Sequence, residues 1–173
     1  MNFIYNYNET IVKYDLINKF NYKHLQKIPE LKSLTLTFKL KKYDIKTLIS
    51  ALAAIEILTS QKAILNYSKV SNVSLKIRKG QPIGCKVTLR KKNFRQFFNV
   101  LLNTTSIIKN KINYKSQNSF FFSLTIENIL VFSELEKNYQ FFKKLSNLNI
   151  NLTTTNCKNK ELVFLLKSNK LVI

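Results

Sequence analysis

Apolar positions recur along this chain at two periods, and each period marks a different element. Leu34, Leu36, Phe38 and Leu40 alternate with Thr35, Thr37 and Lys39. The period of two returns at Val73, Leu75 and Ile77 against Ser74, Lys76 and Arg78, and at Cys85, Val87 and Leu89 against Lys86, Thr88 and Arg90. It returns again at Phe122, Leu124 and Ile126 around Ser123 and Thr125, and at Leu148, Ile150 and Leu152 around Asn149, Asn151 and Thr153. Successive side chains of a strand point to opposite faces. The pattern therefore predicts strands packed on one face and open on the other, which favours antiparallel pairing.

Spacings of three and four predict the helices. From Asp44 to Ser60, Ile45, Leu48, Ile49, Leu52, Ile55 and Leu58 share a face, with Asp44 placed to cap the start. A second helix from about Lys92 to Ile108 carries Phe94, Phe97, Phe98, Leu101 and Leu102, and a third from Glu134 to Ser146 carries Leu135, Tyr139, Phe142 and Leu145. An N-terminal helix near Thr10 to Phe20 and a short one near Lys160 to Lys167 complete the set. Aromatic residues in these stripes belong to the core rather than to a ligand. With no repeat and no Gly/Ser linker, the expectation is one domain over residues 1–173. Its fold class is α+β, an antiparallel sheet with helices packed on one face and the other face open.

Charge gives that open face a meaning. The 173 residues are 45% hydrophobic, enough for a core, yet 29 Lys and Arg stand against 9 Asp and Glu, a formal charge of +20. Such an excess repels itself unless a polyanion neutralises it. No Asp or Glu occurs between Ile57 and Ile126, where Lys62, Lys69, Lys76, Arg78, Lys79, Lys86, Arg90, Lys91, Lys92 and Arg95 fall. The expected open-face side chains are Thr, Ser, Asn, Lys and Arg. Hydroxyls and amides bond phosphate and ribose 2′-OH groups while cations neutralise phosphates, so the face suits RNA. A solubilising lysine surface and a free-standing module for RNA or an anionic membrane surface are the other readings of the same charge. A membrane span is not expected, because Glu56 interrupts the best apolar run, Ala51 to Leu58.

Catalytic chemistry finds no constellation. His24 is the single histidine, so no His pair can hold a metal, and it reads as a helix-end or partly buried residue near Tyr22. Glu127, Glu134 and Glu136 are too scattered for paired carboxylates, and the last two sit at a helix start, where they complement the dipole. Gly80-Gln81-Pro82-Ile83-Gly84 is too short and rigid to cradle a phosphate and reads as a join between two strands. Cys85 and Cys157 read as free buried thiols. The chain is expected to be no enzyme and to need no metal or cofactor.

The segment Lys76-Ile77-Arg78-Lys79-Gly80-Gln81-Pro82-Ile83-Gly84-Cys85-Lys86-Val87-Thr88-Leu89-Arg90 closely resembles the most distinctive stretch of the family of large-subunit ribosomal protein five, which binds 5S ribosomal RNA. Weaker matches keep the family order around it: Phe20-Asn21-Tyr22, Ile28-Pro29, Ser60-Gln61-Lys62, Phe132-Ser133-Glu134 and Thr153-Thr154-Thr155. The resemblance implies a non-catalytic ribosomal protein of the central protuberance that uses its sheet and N-terminal helix against 5S RNA. It further implies contacts with large-subunit RNA, neighbouring central-protuberance proteins and the head of the small subunit. By motif position, Gln61, Thr88 and Arg90 correspond to RNA contacts, with Lys62 and Lys86 flanking them. The loop before the hairpin corresponds to the segment facing peptidyl-site transfer RNA, with cations Lys69, Lys76, Arg78 and Lys79.

The departures are equally specific. Thr37 stands where the family has an RNA-contacting Asn, so a hydroxyl replaces an amide, and the following turn lacks its usual Gly. Val70-Ser71-Asn72-Val73-Ser74 replaces a more basic loop tip. Residues 109–118 replace a longer Gly-rich segment, and Ser133 stands where Pro is usual. Abundant Asn, Lys, Ile, Phe and Tyr, which have AT-rich codons, fit an AT-biased organellar gene. Met1 to Asn8 lacks the pattern of an import sequence. The expected location is the mitochondrial ribosome in the matrix, with a plastid as the alternative.

Overall fold

The computed structural model describes residues 6–40, 44–107, 112–118, 121–145, 147–155, 158–169 and 171. Six strands, β1 (Leu31–Lys39), β2 (Ile64–Tyr67), β3 (Pro82–Leu89), β4 (Ile112–Asn118), β5 (Phe121–Ile126) and β6 (Leu148–Thr154), form one sheet in the order β2-β3-β1-β6-β5-β4. The helices are α1 (Lys13–Phe20), α2 (Ile45–Thr59), α3 (Lys91–Ile107), α4 (Ser133–Glu136), α5 (Tyr139–Phe142) and α6 (Asn159–Ser168). A π-helical turn, Asn8–Val12, leads into α1. The chain divides into two compact units, one of Met1–Leu34, Arg90–Leu124 and Asn151–Ile173, the other of Thr35–Leu89 and Thr125–Ile150.

In the first unit α1 packs on α6. Val12, Leu16, Ile28 and Leu165 are buried together, and Phe20 meets Phe164 edge-on at 5.8 Å between ring centroids. Helix α1 stops at Asn21, whose left-handed backbone caps its end, while the backbone N–H of Lys158 donates to Glu161 Oε2 at 3.0 Å to start α6. Phe97, Phe98 and Leu101 of α3 are buried, as their spacing predicts.

In the second unit α2 lies against β3, and α4 and α5 pack on α2. Asp44 caps α2 by accepting the Lys46 N–H at 3.1 Å. The apolar sheet face is closed: Leu36, Phe38, Cys85, Val87, Leu89, Ile126 and Ile150 are all buried. Each such aliphatic or aromatic side chain contributes about 1.5–3 kcal/mol by leaving water. Thr35, Thr37, Thr88, Thr125 and Asn149 on the other face stay half-buried, and Lys86 is exposed.

Four sequence expectations are corrected. Val73 to Arg78 is no strand: residues 73–76 form a turn at the tip of a loop, pinned by a single bridge between Asn72 and Ile77. Its alternation is genuine but short, and its apolar side is largely open: Val73 is 92% and Leu75 50% exposed. The strand that pairs with β3 on this side is β2, antiparallel with Ile64 opposite Lys86, so Pro82–Gly84 begins β3 instead of joining two strands. Glu134 to Ser146 is not one helix. Asn138 leaves helical geometry (φ −117°, ψ 42°), which separates α4 from α5 and turns Tyr139 outward, while Phe142 stays buried. In α2 the buried face is Leu48, Ala51, Ala54, Ile55 and Thr59, leaving Ile45 and Ile49 exposed. A helix apolar nearly all round does not mark its own core side. Ile108, Ser146 and Cys157 fall outside the described residues.

Candidate nucleic-acid interface

The open face of the second unit begins with a close approach of two backbones. A Cβ on Gly84 would lie 2.1 Å from the Phe38 carbonyl oxygen, so β1 and β3 meet as they do because position 84 has no side chain. Leu40 N–H donates to the Ile83 carbonyl at 2.9 Å, and the Thr35 and Thr88 hydroxyls lie 3.5 Å apart. This antiparallel register sets Thr37 opposite Lys86. Across β6, the Thr37 hydroxyl donates to the Asn149 backbone carbonyl at 3.3 Å, and the Thr125 hydroxyl of β5 donates to Asn149 Oδ1 at 3.0 Å. None of the six strands contains an Asp or Glu. Hydroxyls, an amide and a lysine thus share strands that carry no acid of their own to repel phosphate.

Helix α2 delivers Gln61 and Lys62 to the same unit. Ser60 adopts a left-handed backbone (φ 52°), ending the helix. Thr59 steadies the turn, its hydroxyl donating to the Ile55 carbonyl at 2.7 Å and accepting the Gln61 N–H at 3.3 Å. Gln61 Nε2 then donates to the Thr88 carbonyl at 3.3 Å, so part of this amide anchors α2 to β3. Lys62 beside it is exposed.

The loop cations sit differently. Ser68 and Gln81 close the loop base, with Ser68 N–H on the Gln81 carbonyl at 2.8 Å and Gly80 N–H on the Ser68 carbonyl at 2.9 Å. Arg78 N–H donates to Gln81 Oε1 at 2.9 Å. Lys69, Lys76, Arg78 and Lys79 are all exposed, and Lys76 holds a left-handed backbone (φ 54°) where the tip turns. The structure therefore groups Thr37, Lys86, Thr88, Gln61 and Lys62 about β1 and β3, and keeps the loop cations on a separate projection.

In the first unit Arg90 is exposed directly after β3, and its carbonyl accepts the Phe94 N–H of α3 at 3.4 Å. There too the open face is hydroxyl and amide: Ser33 and Thr153 hydroxyls are 2.6 Å apart, and the Ser123 hydroxyl donates to Asn151 Oδ1 at 2.9 Å. Asn149, Asn151, Thr125 and Thr35 are polar-face residues that motif matching does not single out. Alternation puts them on that face, but their bonding depends on strand register, which the sequence does not display.

His24 is exposed at the start of a 3-10 turn. Cys85 is buried on the apolar side of β3, and that burial pushes its thiol up to about 12, far from a reactive thiolate. Among the described residues no group of three His, Cys, Asp or Glu could hold a metal, and no helix is long and apolar enough to cross a membrane. A first-unit cavity of about 330 Å³ is lined by Val12, Leu16, Ile28, Phe94 and Phe98 with the Glu9–Lys13 ion pair at its rim.

Residues 82–172 match the family model that describes the C-terminus of the ribosomal protein uL5 family. The large ribosomal subunit protein uL5m of Reclinomonas americana is 33% identical over 170 residues, covering 93% of this chain and 92% of that protein. Protein uL5 of Wigglesworthia glossinidia brevipalpis is 33% identical over 172 residues, covering 95% of each chain. Protein uL5 of Geotalea uraniireducens is 32% identical over 167 residues, covering 93% and 92%. Relatives of mitochondrial and bacterial name are thus about equally similar.

Proposed function

This chain belongs to the ribosomal protein uL5 family and is a structural, non-enzymatic protein of the large ribosomal subunit; from that premise we propose that it acts as one RNA-binding domain over residues 1–173, holding 5S or equivalent ribosomal RNA in the central protuberance. The observation that carries this reading is the acid-free sheet face, with half-buried hydroxyls tied to one another and Lys86 exposed among them. Thr37, Gln61 and Thr88 offer hydrogen bonds to ribose and phosphate, while Lys62, Lys86 and Arg90 neutralise charge. Large-subunit RNA and neighbouring central-protuberance proteins complete its surroundings.

Lys69, Lys76, Arg78 and Lys79 face peptidyl-site transfer RNA, and another surface meets the small-subunit head. The loop's exposure and its position ahead of β3 support the first of these roles. An AT-biased composition and the similarity to a mitochondrial relative support a place in the mitochondrial ribosome. The test is crosslinking on purified ribosomes followed by sequencing of the RNA bound to this chain. Reads from 5S or an equivalent central-protuberance RNA are expected. Co-sedimentation without such reads, or failure to pellet with the large subunit, would refute the assignment.

A further inference from the structure

The row that runs across the second unit through Lys86, Thr37, Asn149 and Thr125 has a donor pattern of its own. The Thr125 hydroxyl proton is committed to Asn149 Oδ1 and the Thr37 hydroxyl proton to the Asn149 backbone carbonyl. A carboxamide whose oxygen is held in this way presents its NH2 as donor. The two hydroxyls, with their protons spent inward, keep only lone pairs for an outside group. The row therefore offers an ammonium at one end, an amide donor in the middle, and acceptors on either side of it.

We propose that Lys86, Thr37, Asn149 and Thr125 form one ribose-phosphate subsite that distinguishes RNA from DNA. Asn149 Nδ2 donates to a backbone oxygen, Lys86 neutralises the adjacent phosphate, and the Thr37 or Thr125 oxygen accepts the ribose 2′-OH proton. A deoxyribose has no proton to give there. This inference rests on the RNA-binding reading above and assigns residues that the reading does not use.

The experiment measures binding of the full chain to a bacterial 5S ribosomal RNA transcript and to a DNA strand of the same sequence, at several salt concentrations. Wild type is expected to bind the RNA more tightly than the DNA. Asn149→Ala should weaken RNA binding about tenfold, the worth of one such hydrogen bond, and weaken DNA binding as well, because the backbone oxygen it meets is common to both, with the salt dependence unchanged. Asn149→Asp retains the oxygen that accepts from Thr125, so it guards against a folding defect, and it should lose still more through repulsion of phosphate. Thr125→Val should weaken RNA binding about threefold or more, again without changing the salt slope. Lys86→Ala should weaken both nucleic acids and flatten the slope by about 0.7–0.9. If wild type binds the RNA well while the Asn149 and Thr125 variants stay within twofold of it, or if wild type binds RNA and DNA alike, the subsite is wrong and the RNA-binding reading stands. If wild type does not bind the RNA, both fall.

Discussion

On β1 and β3 the polar side chains are tied to neighbours, Thr35 with Thr88 and Thr37 with Asn149, above a buried layer that includes Phe38, Val87 and Leu89. In the loop from Ser68 to Gln81 the chain is held at its base and by the Asn72–Ile77 bridge, while Val70 and Val73 are 75% and 92% exposed. Both regions carry lysine. The sheet groups are tied by side-chain hydrogen bonds before any ligand arrives and lose little entropy on binding, whereas the exposed loop lysines give up rotamer freedom when they meet one. Cation content alone would treat the two alike. Pre-organisation separates them.

The two glycines give the sharpest break between these regions. Gly84→Ala should destabilise the fold by about 3 kcal/mol, because its Cβ meets backbone that cannot step aside. Gly80→Ala, where nothing lies within 4 Å but φ is +83°, should cost only about 1 kcal/mol. Chemical denaturation of both variants reads the difference, and equal losses would mean the β1–β3 approach is not rigid.

Arg90→Ala should weaken RNA binding about ten- to a hundredfold if it makes a charge-assisted contact, with Lys92→Ala affecting binding less. For wild type, engagement of about five phosphates gives a slope of log K against log salt of roughly −3.5 to −4.5. A flat response would remove the electrostatic basis of the interface.

Cys85 lets pH probe the buried side of the sheet. Its folded thiol is raised from 9.0 to about 12 by burial, so the unfolded chain ionises first as pH rises. Stability from this group is complete below pH 9 and is lost between 9 and about 12. Cys85→Ala should flatten the stability profile in that window; an unchanged slope would mean the thiol is not desolvated. The smallest effect belongs to the loop. Deleting Val70 to Val73 should leave RNA affinity and large-subunit assembly intact and reduce transfer RNA binding only slightly, and loss of RNA incorporation would place the tip in the assembly site.

How much of this was legible follows from what each pattern depends on. β1, β3, β5 and β6 were readable because alternation reports burial on one face, and packing on that face is what the strands do. Val73 to Ile77 shows the same alternation without a partner, so period alone misread a loop tip as a strand. β2 carries no alternation; it exists because β3 offers it an edge, which is a tertiary fact. α2 was readable as a helix and as an Asp44-capped one, but its uniform apolarity concealed which side faces β3. Among the site residues, Lys86, Thr88 and Arg90 came from alternation and motif position together. Asn149 and Thr125 gained their significance only from the register across β5, β6 and β1.

The central claim is that the acid-free sheet face is the surface that meets RNA. The direct measurement is ultraviolet crosslinking of intact large subunits, with mass spectrometry locating the crosslinked residues on this chain. The account predicts crosslinks on the peptides that contain Thr37 and Lys86 to Arg90. Crosslinks confined to the exposed side of α2, around Ile45 and Ile49, with none on β1 or β3, would contradict it.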